Sequence, residues 1–289
     1  MKKKLKKLIL PAITVCLCCL LTLAVHLNTH RFFLLFEELG WFREEIEISA
    51  ADEGNRFVDV SIDALTKDPS VTFDQSMMLI NPDHPLPESF IPDVLEYKDT
   101  DVYMSRCMLE AYAALSAHIS EKFGTKLYVS SDLRTYSEQE ELYRDDPNTA
   151  TLPGASEHQS GLALDVYVAK FAGDGFIKSP AGRFINSNAR DFGFIIRYPS
   201  YGEDTTGIRF EPWHIRFVGQ PHAKVIYGNM LTLEEYILSF DIDKWYEIDG
   251  YLVSRQRLGD SNTFSMPESF ESCIISPDNT GAYIITVKK

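Results

Sequence analysis

Cysteine is scarce in this chain and poorly placed for chemistry. Of five in 289 residues, Cys16, Cys18 and Cys19 lie in one apolar run, and none follows the Gly, Ala or Ser that a lipoprotein cleavage site favours. Outside that run there is no Cys-x-x-Cys, which argues against a zinc knuckle or a thioredoxin-like site. Cys107 and Cys273 are left as a disulfide or as two buried thiols. The thiols are favoured, because Cys107 falls on the apolar face of a helical pattern. Three catalytic signatures are also missing. No serine is followed by lysine as Ser-x-x-Lys, no Gly-x-Ser-x-Gly elbow occurs, and the helical zinc motif His-Glu-x-x-His is absent. Basic charge is in deficit, with 28 Lys+Arg against 42 Asp+Glu and a net charge of -14. Five of those basic residues are lysines within the first seven positions, so the remainder, at -19 once those five charges are taken from -14, is more acidic still. Such a body excludes a broad basic surface for nucleic acid, but not a small anionic substrate held by one arginine.

There is one long uncharged apolar run. "MKKKLKK" precedes "LILPAITVCLCCLLTLAV", residues 8–25. Its length is at the lower limit for a membrane-spanning helix. The flanking lysines place the N-terminus in the cytoplasm. A cleaved signal peptide is the competing reading, but no small-x-small cleavage site follows the run. The expectation is a single-pass anchor in residues 1–27 with everything beyond it outside the cytoplasm.

The rest is expected to fold as α+β. Hydrophobic residues at 45% and aromatics at 12% exclude a largely disordered chain. Residues 28–75 read as a stalk with two short strands, and "NPDHPLPESFIPD", with its four prolines, as extended surface backbone. A helix is expected from Thr100 or Asp101 to Gly124, buried through Met104, Cys107, Met108, Ala111, Leu115 and Ile119. "KLYVSS" reads as a strand and "SEQEELYR" as a helix with a Ser137–Glu140 capping box. "LALDVYV" alternates as a strand, with Asp165 on the side opposite Leu164 and Val166. Further strands ("FIIRYP", "IRFEPWHIRFV") and helices ("SPAGRFINSNARDFG", "QPHAKVIYGN", "TLEEYILSF") are mixed, without regular βαβ alternation. A main domain is expected over residues 76–242, and a small β-rich appendage over 243–289.

His158, Asp165, Glu211 and His214 are the residues that could do chemistry. Catalytic zinc takes three protein ligands of nitrogen or oxygen type and keeps an open position. It also needs a carboxylate that is not a ligand, to accept a proton from water. Two His, one Asp and one spare Glu fill those roles. On a straight strand Glu211 and His214 would face opposite ways, but Pro212 between them predicts a bulge or irregular edge. Ser160 and Gly161 can likewise turn His158 toward Asp165. Each element has a bland reading: a lone His is usually core or surface, and "EPWH" can be a strand edge with an aromatic anchor. Asp165 within an apolar run is more telling, since a buried carboxylate needs a partner or a metal.

"LPGASEHQSGLALDV", then "FGFIIRYP", then "TGIRFEPWHIRFVG" resembles the VanY-type D-alanyl-D-alanine carboxypeptidases, zinc peptidases of the cell wall whose fold is related to the Hedgehog signalling domain. The resemblance runs from about residue 81 to about residue 240, with its motifs in the family's order. It implies a mainly antiparallel sheet flanked by helices, with zinc bound by His158, Asp165 and His214 and Glu211 as the catalytic base. It also implies that Arg134 contacts the substrate, helped by Gln139 and Ser156, and that Trp213 walls the site. The substrate implied is the peptidoglycan stem peptide, losing its terminal D-alanine. An L,D-carboxypeptidase or an endopeptidase with the same zinc site is the nearer alternative, and a non-catalytic zinc-containing wall-binding module the more distant one. Two departures fall at the substrate side. Asp132 and Leu133 stand where the family commonly has Gly and an aromatic residue, and "SYGED" stands where it often has a lysine.

Overall fold

The computed structural model describes residues 28–289 apart from residues 42, 53, 99 and 260. The chain divides into residues 1–42 and residues 43–289. In the first unit the described element is α1 (Thr29–Glu38). The apolar run of residues 8–25 lies outside the described residues, and among the described ones no helix is long and apolar enough to cross a membrane.

The larger unit runs β1 (Ser49–Ala50), β2 (Phe57–Ser61), α2 (Ile62–Leu65), β3 (Val71–Phe73), β4 (Val94–Glu96), β5 (Tyr103–Ser105), α3 (Leu109–Phe123), β6 (Tyr128–Ser131), α4 (Tyr136–Asp145), β7 (Ala163–Tyr167), α5 (Pro180–Asn188), β8 (Phe194–Ile196), α6 (Glu203–Thr206), β9 (His214–Phe217), α7 (His222–Gly228), α8 (Leu233–Leu238), β10 (Lys244–Ile248), β11 (Tyr251–Gln256), β12 (Thr263–Pro267), β13 (Ser272–Pro277) and β14 (Tyr283–Lys288). This is an α+β fold built mainly on antiparallel sheets.

A four-stranded antiparallel sheet, ordered β6-β7-β9-β8, carries the candidate residues. Alternation along its strands gives it two different faces. Leu164 and Val166 of β7, with Ile215 and Phe217 of β9, bury against Tyr112, Leu115 and Ile119 of α3 and Ile185 of α5. The opposite face presents Asp165 paired with His214, and Ala163 paired with Arg216. The helix α3 ends where expected, at Gly124 with a left-handed φ of 62°. Its start differs from expectation. Tyr103–Ser105 pairs with β4, and the Ser105 N–H donates to the Gly161 carbonyl at 2.8 Å. This pairing overrides the helical periodicity, so the helix begins only at Leu109. The capping box of α4 is Thr135 with Glu138, not Ser137 with Glu140.

The expected stalk and appendage need correction. A six-stranded sheet is ordered β1-β10-β11-β14-β13-β3, so strands from residues 43–75 flank strands from residues 243–289. β2 pairs with β12. An apolar cluster joins this sheet, through Val253 and Ile284, to Ala223 and Val225 of α7, Tyr236 and Ile237 of α8, and Ile195 of β8. Residues 43–75 are therefore structural strands of the larger unit, and the C-terminal strands share its core. Short strands say nothing of partners some 200 residues away, which is why the sequence pattern does not reveal this sheet. Cys107 and Cys273 are both free. They lie in different apolar clusters, and burial pushes both thiols up to about 12.

Candidate active site

His158 comes from a 3-10 turn, Glu157–Ser160, that Gly161 closes with φ 70°. A Cβ on Gly161 would stand 2.6 Å from Val94 Cγ1 and 3.1 Å from the Ser105 nitrogen. Only glycine combines that backbone angle with that closeness. The Ser160 hydroxyl donates to the Glu157 carbonyl at 2.6 Å and accepts from the Leu162 N–H at 3.2 Å. The turn carries His158 back over the polar face of β7, as the odd spacing between His158 and Asp165 requires.

His214 and Asp165 meet more simply, as direct cross-strand neighbours. Asp165 Oδ1 is 3.1 Å from His214 Nδ1, and Asp165 Oδ2 is 3.6 Å from His158 Nε2. The two imidazoles stand edge to face with centroids 5.0 Å apart. One donor atom from each of the three residues lies within 4.8 Å of the others. The opposite nitrogen of His158, Nδ1, lies 2.9 Å from the Asp132 carbonyl. That carbonyl can only accept, so Nδ1 carries the hydrogen and Nε2 keeps its lone pair.

Glu211 reaches the same place through the irregularity that Pro212 predicts. The His214 N–H donates to the Glu211 carbonyl at 3.1 Å, a tight turn that stops β9 from extending back through Pro212. The Glu211 N–H is held by the Tyr198 carbonyl at 3.0 Å. Glu211 Oε2 then stands 3.8 Å from His214 Nδ1, close to the three donors but outside their group.

The electrostatics favour a cation at the centre. Asp165 Oδ1 is buried and accepts no hydrogen bond, a costly state for a carboxylate oxygen unless a charge completes it. Burial opposes ionisation of Asp165, yet the two imidazoles hold it well below the usual carboxylate range. For His214, burial disfavours the charged form, but Asp165 and Glu157 outweigh it and lift the group to about 9. Burial lowers His158. Glu211 is raised by burial, with His214 partly opposing. Two nitrogens and a carboxylate oxygen are a donor set that zinc takes, and the two Asp165–histidine contacts, 3.1 and 3.6 Å, lie near the roughly 3.3–3.5 Å that bonds of about 2.0–2.2 Å place between tetrahedral ligands.

All eight candidate residues, namely Arg134, Gln139, Ser156, His158, Asp165, Glu211, Trp213 and His214, line one cavity of about 290 Å³. Arg134 donates through Nη1 to Gln139 Oε1 at 2.8 Å and through Nη2 to Ser131 Oγ at 2.7 Å. Gln139 is fixed in turn by the Thr151 carbonyl at 2.7 Å. Trp213 packs on the α3 core and carries the Arg209 guanidinium 5.2 Å from its ring, so it serves both core and cavity wall. Two lining residues escape a reading of the sequence. Tyr198 places its ring 5.0 Å from that of His214. Glu157, the charged neighbour of His158, is entirely buried. Nothing in the string "SEHQ" distinguishes Glu157 from a solvated acid.

Comparison with known proteins agrees with this geometry. The family model VanY, described as D-alanyl-D-alanine carboxypeptidase, matches residues 101–220. A D-alanyl-D-alanine carboxypeptidase of Enterococcus faecium is 30% identical over 252 residues, covering 77% of this chain and 79% of its own. Among solved structures, the vancomycin resistance D,D-dipeptidase VanXYg in complex with a D-Ala-D-Ala phosphinate analog is 25% identical with a TM-score of 0.62, covering 81% of this chain and 99% of its own. A mutant of the vancomycin resistance D,D-pentapeptidase VanY in complex with Zn(II) is 28% identical with a TM-score of 0.50, over 56% of this chain and 98% of its own. With the motif residues gathered in one cavity and this identity spanning most of a relative's length, the chain belongs to the VanY family of D-alanyl-D-alanine carboxypeptidases.

Proposed function

We propose that the protein is a zinc-dependent carboxypeptidase that removes the terminal D-alanine from peptidoglycan stem peptides. The observation that carries this reading is the single cavity in which His158, Asp165 and His214 converge, with Glu211 beside them and Arg134 on the same lining. Zinc held by those three side chains supplies Lewis acidity toward a water and a carbonyl. Glu211, close to the centre without being one of the three donors, accepts the proton of the attacking water and returns it to the departing amine. Its raised pKa suits both halves of that task. Arg134, held by Gln139 and Ser131, offers its fork to the substrate's terminal carboxylate or polarised carbonyl. Ser156 and Trp213 bound the space around the substrate's end. A non-catalytic zinc module has no use for a free carboxylate such as Glu211 at its centre.

The five N-terminal lysines and the apolar run of residues 8–25 support an uncleaved membrane anchor with the N-terminus in the cytoplasm and the catalytic unit outside, where peptidoglycan lies. The test of the substrate assignment is release of D-alanine by the zinc-loaded protein from synthetic stems. Release from the pentapeptide, ending in D-Ala-D-Ala, is the expected result. Release from the tetrapeptide alone moves the assignment to an L,D-carboxypeptidase.

A further inference from the structure

Glu157 stands immediately behind His214, on the side away from the candidate metal centre. Its side chain is wholly buried, and both arginines that touch it are buried with it. Oε1 accepts from Arg197 Nε and from Arg216 Nη1, each at 2.6 Å. The remaining donors of the arginines are engaged elsewhere. Arg197 pairs with Glu234 through Nη1 at 2.9 Å and Nη2 at 2.5 Å. Arg216 donates to the carbonyls of Ser76, Met78 and Phe217. Two buried polar atoms of the cluster are left without a hydrogen bond, Glu157 Oε2 and His214 Nε2. They face each other at 3.6 Å.

A ring that offers its Nδ1 lone pair to a metal carries its hydrogen on Nε2. That N–H needs an acceptor, and Glu157 Oε2 is the one aimed at it. We infer that Glu157 is a positioning residue: its carboxylate, clamped by Arg197 and Arg216, fixes the orientation and the Nε2–H form of His214 so that Nδ1 meets the metal. The two histidines are then backed differently, His158 by the neutral Asp132 carbonyl and His214 by a carboxylate. A carboxylate behind a histidine raises its basicity as a ligand. The paired arginines hold Glu157 ionised: Arg197 has Glu234 as a second counter-charge, but the other donors of Arg216 meet only backbone carbonyls, and a neutral acid there would leave that guanidinium buried without a paired carboxylate. The inference rests on the zinc-peptidase reading and adds to it a residue that meets neither metal nor substrate.

The test uses the full chain loaded with zinc or cobalt(II), with the variants Glu157→Gln and Glu234→Gln. Glu157→Gln keeps the shape and removes the charge. Glu234→Gln also removes a buried charge from Arg197, but leaves Glu157, Arg216 and His214 untouched. Zinc affinity is measured by chelator competition, and the ligand field by the cobalt visible spectrum. Glu157→Gln is expected to weaken zinc by roughly 10–100-fold, the usual effect of losing a group that supports a ligand, and to shift the cobalt bands. Glu234→Gln should change neither. Unchanged affinity and spectrum in Glu157→Gln, or equal losses in both variants, overturn the inference. If Glu157→Gln fails to fold, 15N-histidine spectra of the zinc-loaded wild type decide. A proton on His214 Nε2 with Nδ1 ligated supports the assignment, and the reverse overturns it. Absence of zinc from this site in the wild type would instead sink the zinc-peptidase reading itself, and this inference with it.

Discussion

Asp165 and His214 stand directly opposite one another on the antiparallel strands β7 and β9, with Oδ1 3.1 Å from Nδ1. This register supplies two of the three candidate ligands from the rigid centre of a sheet whose other face is packed on α3 and α5. The third, His158, is folded onto them by a turn. Placement on regular elements fixes ligand geometry better than placement on loops.

In the proposed function the charge at Asp165 is what makes this cluster a cation site. Asp165→Asn keeps the volume and the strand register but removes that charge. Zinc affinity should fall by more than the roughly 100-fold that loss of a supporting group costs, as read by chelator competition. Zinc retained at wild-type affinity would remove Asp165 from the ligand set.

Gly161 allows the turn that returns His158 to the site. In Gly161→Ala the new Cβ meets Val94 and the Ser105 backbone at a positive φ. A loss of about 1–3 kcal/mol is expected for a non-glycine residue forced into such a position. Thermal denaturation should show a lower Tm, with weaker zinc binding as a companion effect. An unchanged Tm would mean that the turn is not held as described.

In the proposed function Arg134 acts on the substrate rather than on the metal. Removing its fork in Arg134→Ala should cost about 1.5–3 kcal/mol of charge-assisted hydrogen bonding, or roughly 10–100-fold in kcat/KM. Steady-state kinetics on the pentapeptide reads the effect, and zinc content should not change. Arg134→Lys keeps the charge but not the planar fork and should recover only part of the loss. Full activity in Arg134→Ala would leave the carboxylate without its assigned partner.

His222 provides a pH test away from the site. It is fully buried, with Nδ1 2.7 Å from the Tyr236 hydroxyl and Nε2 2.8 Å from the Thr286 hydroxyl. Burial lowers it from the usual 6.5 to about 3. Between those values the unfolded chain binds a proton that the folded chain refuses, so stability rises with pH across that window. The contribution is complete above the unfolded pKa and is lost as pH falls toward the folded one, on the order of a few kcal/mol in all. Wild type should exceed His222→Gln in Tm at neutral pH, and the gap should narrow toward about pH 4. A constant gap would contradict a neutral buried His222.

The candidate site was largely legible in the sequence because its chemistry is concentrated in two short motifs. Asp165 within an apolar alternation is hard to explain without a partner. Pro212 between Glu211 and His214 announces the turn that brings them together. Gly161 marks the bend behind His158. Glu157 was not legible, since its role depends on Arg197 and Arg216, which reach it from 40 and 59 residues away. The six-stranded sheet was hidden for the same reason. Val71 of β3 pairs in parallel with Cys273 of β13, and neither strand's pattern names the other. The Tyr103–Ser105 strand overrode a good helical periodicity through its pairing with β4 and Gly161, a tertiary contact that local pattern does not contain.

The central claim is that Glu211 is the proton carrier at a zinc centre it does not help to build. The most direct measurement is D-alanine release and zinc content in Glu211→Ala, made side by side on the pentapeptide stem. The account predicts zinc retained near one per chain and release reduced by about 100- to 10,000-fold, the usual range for loss of a positioned general base. Release at the wild-type rate, with zinc bound, would contradict it.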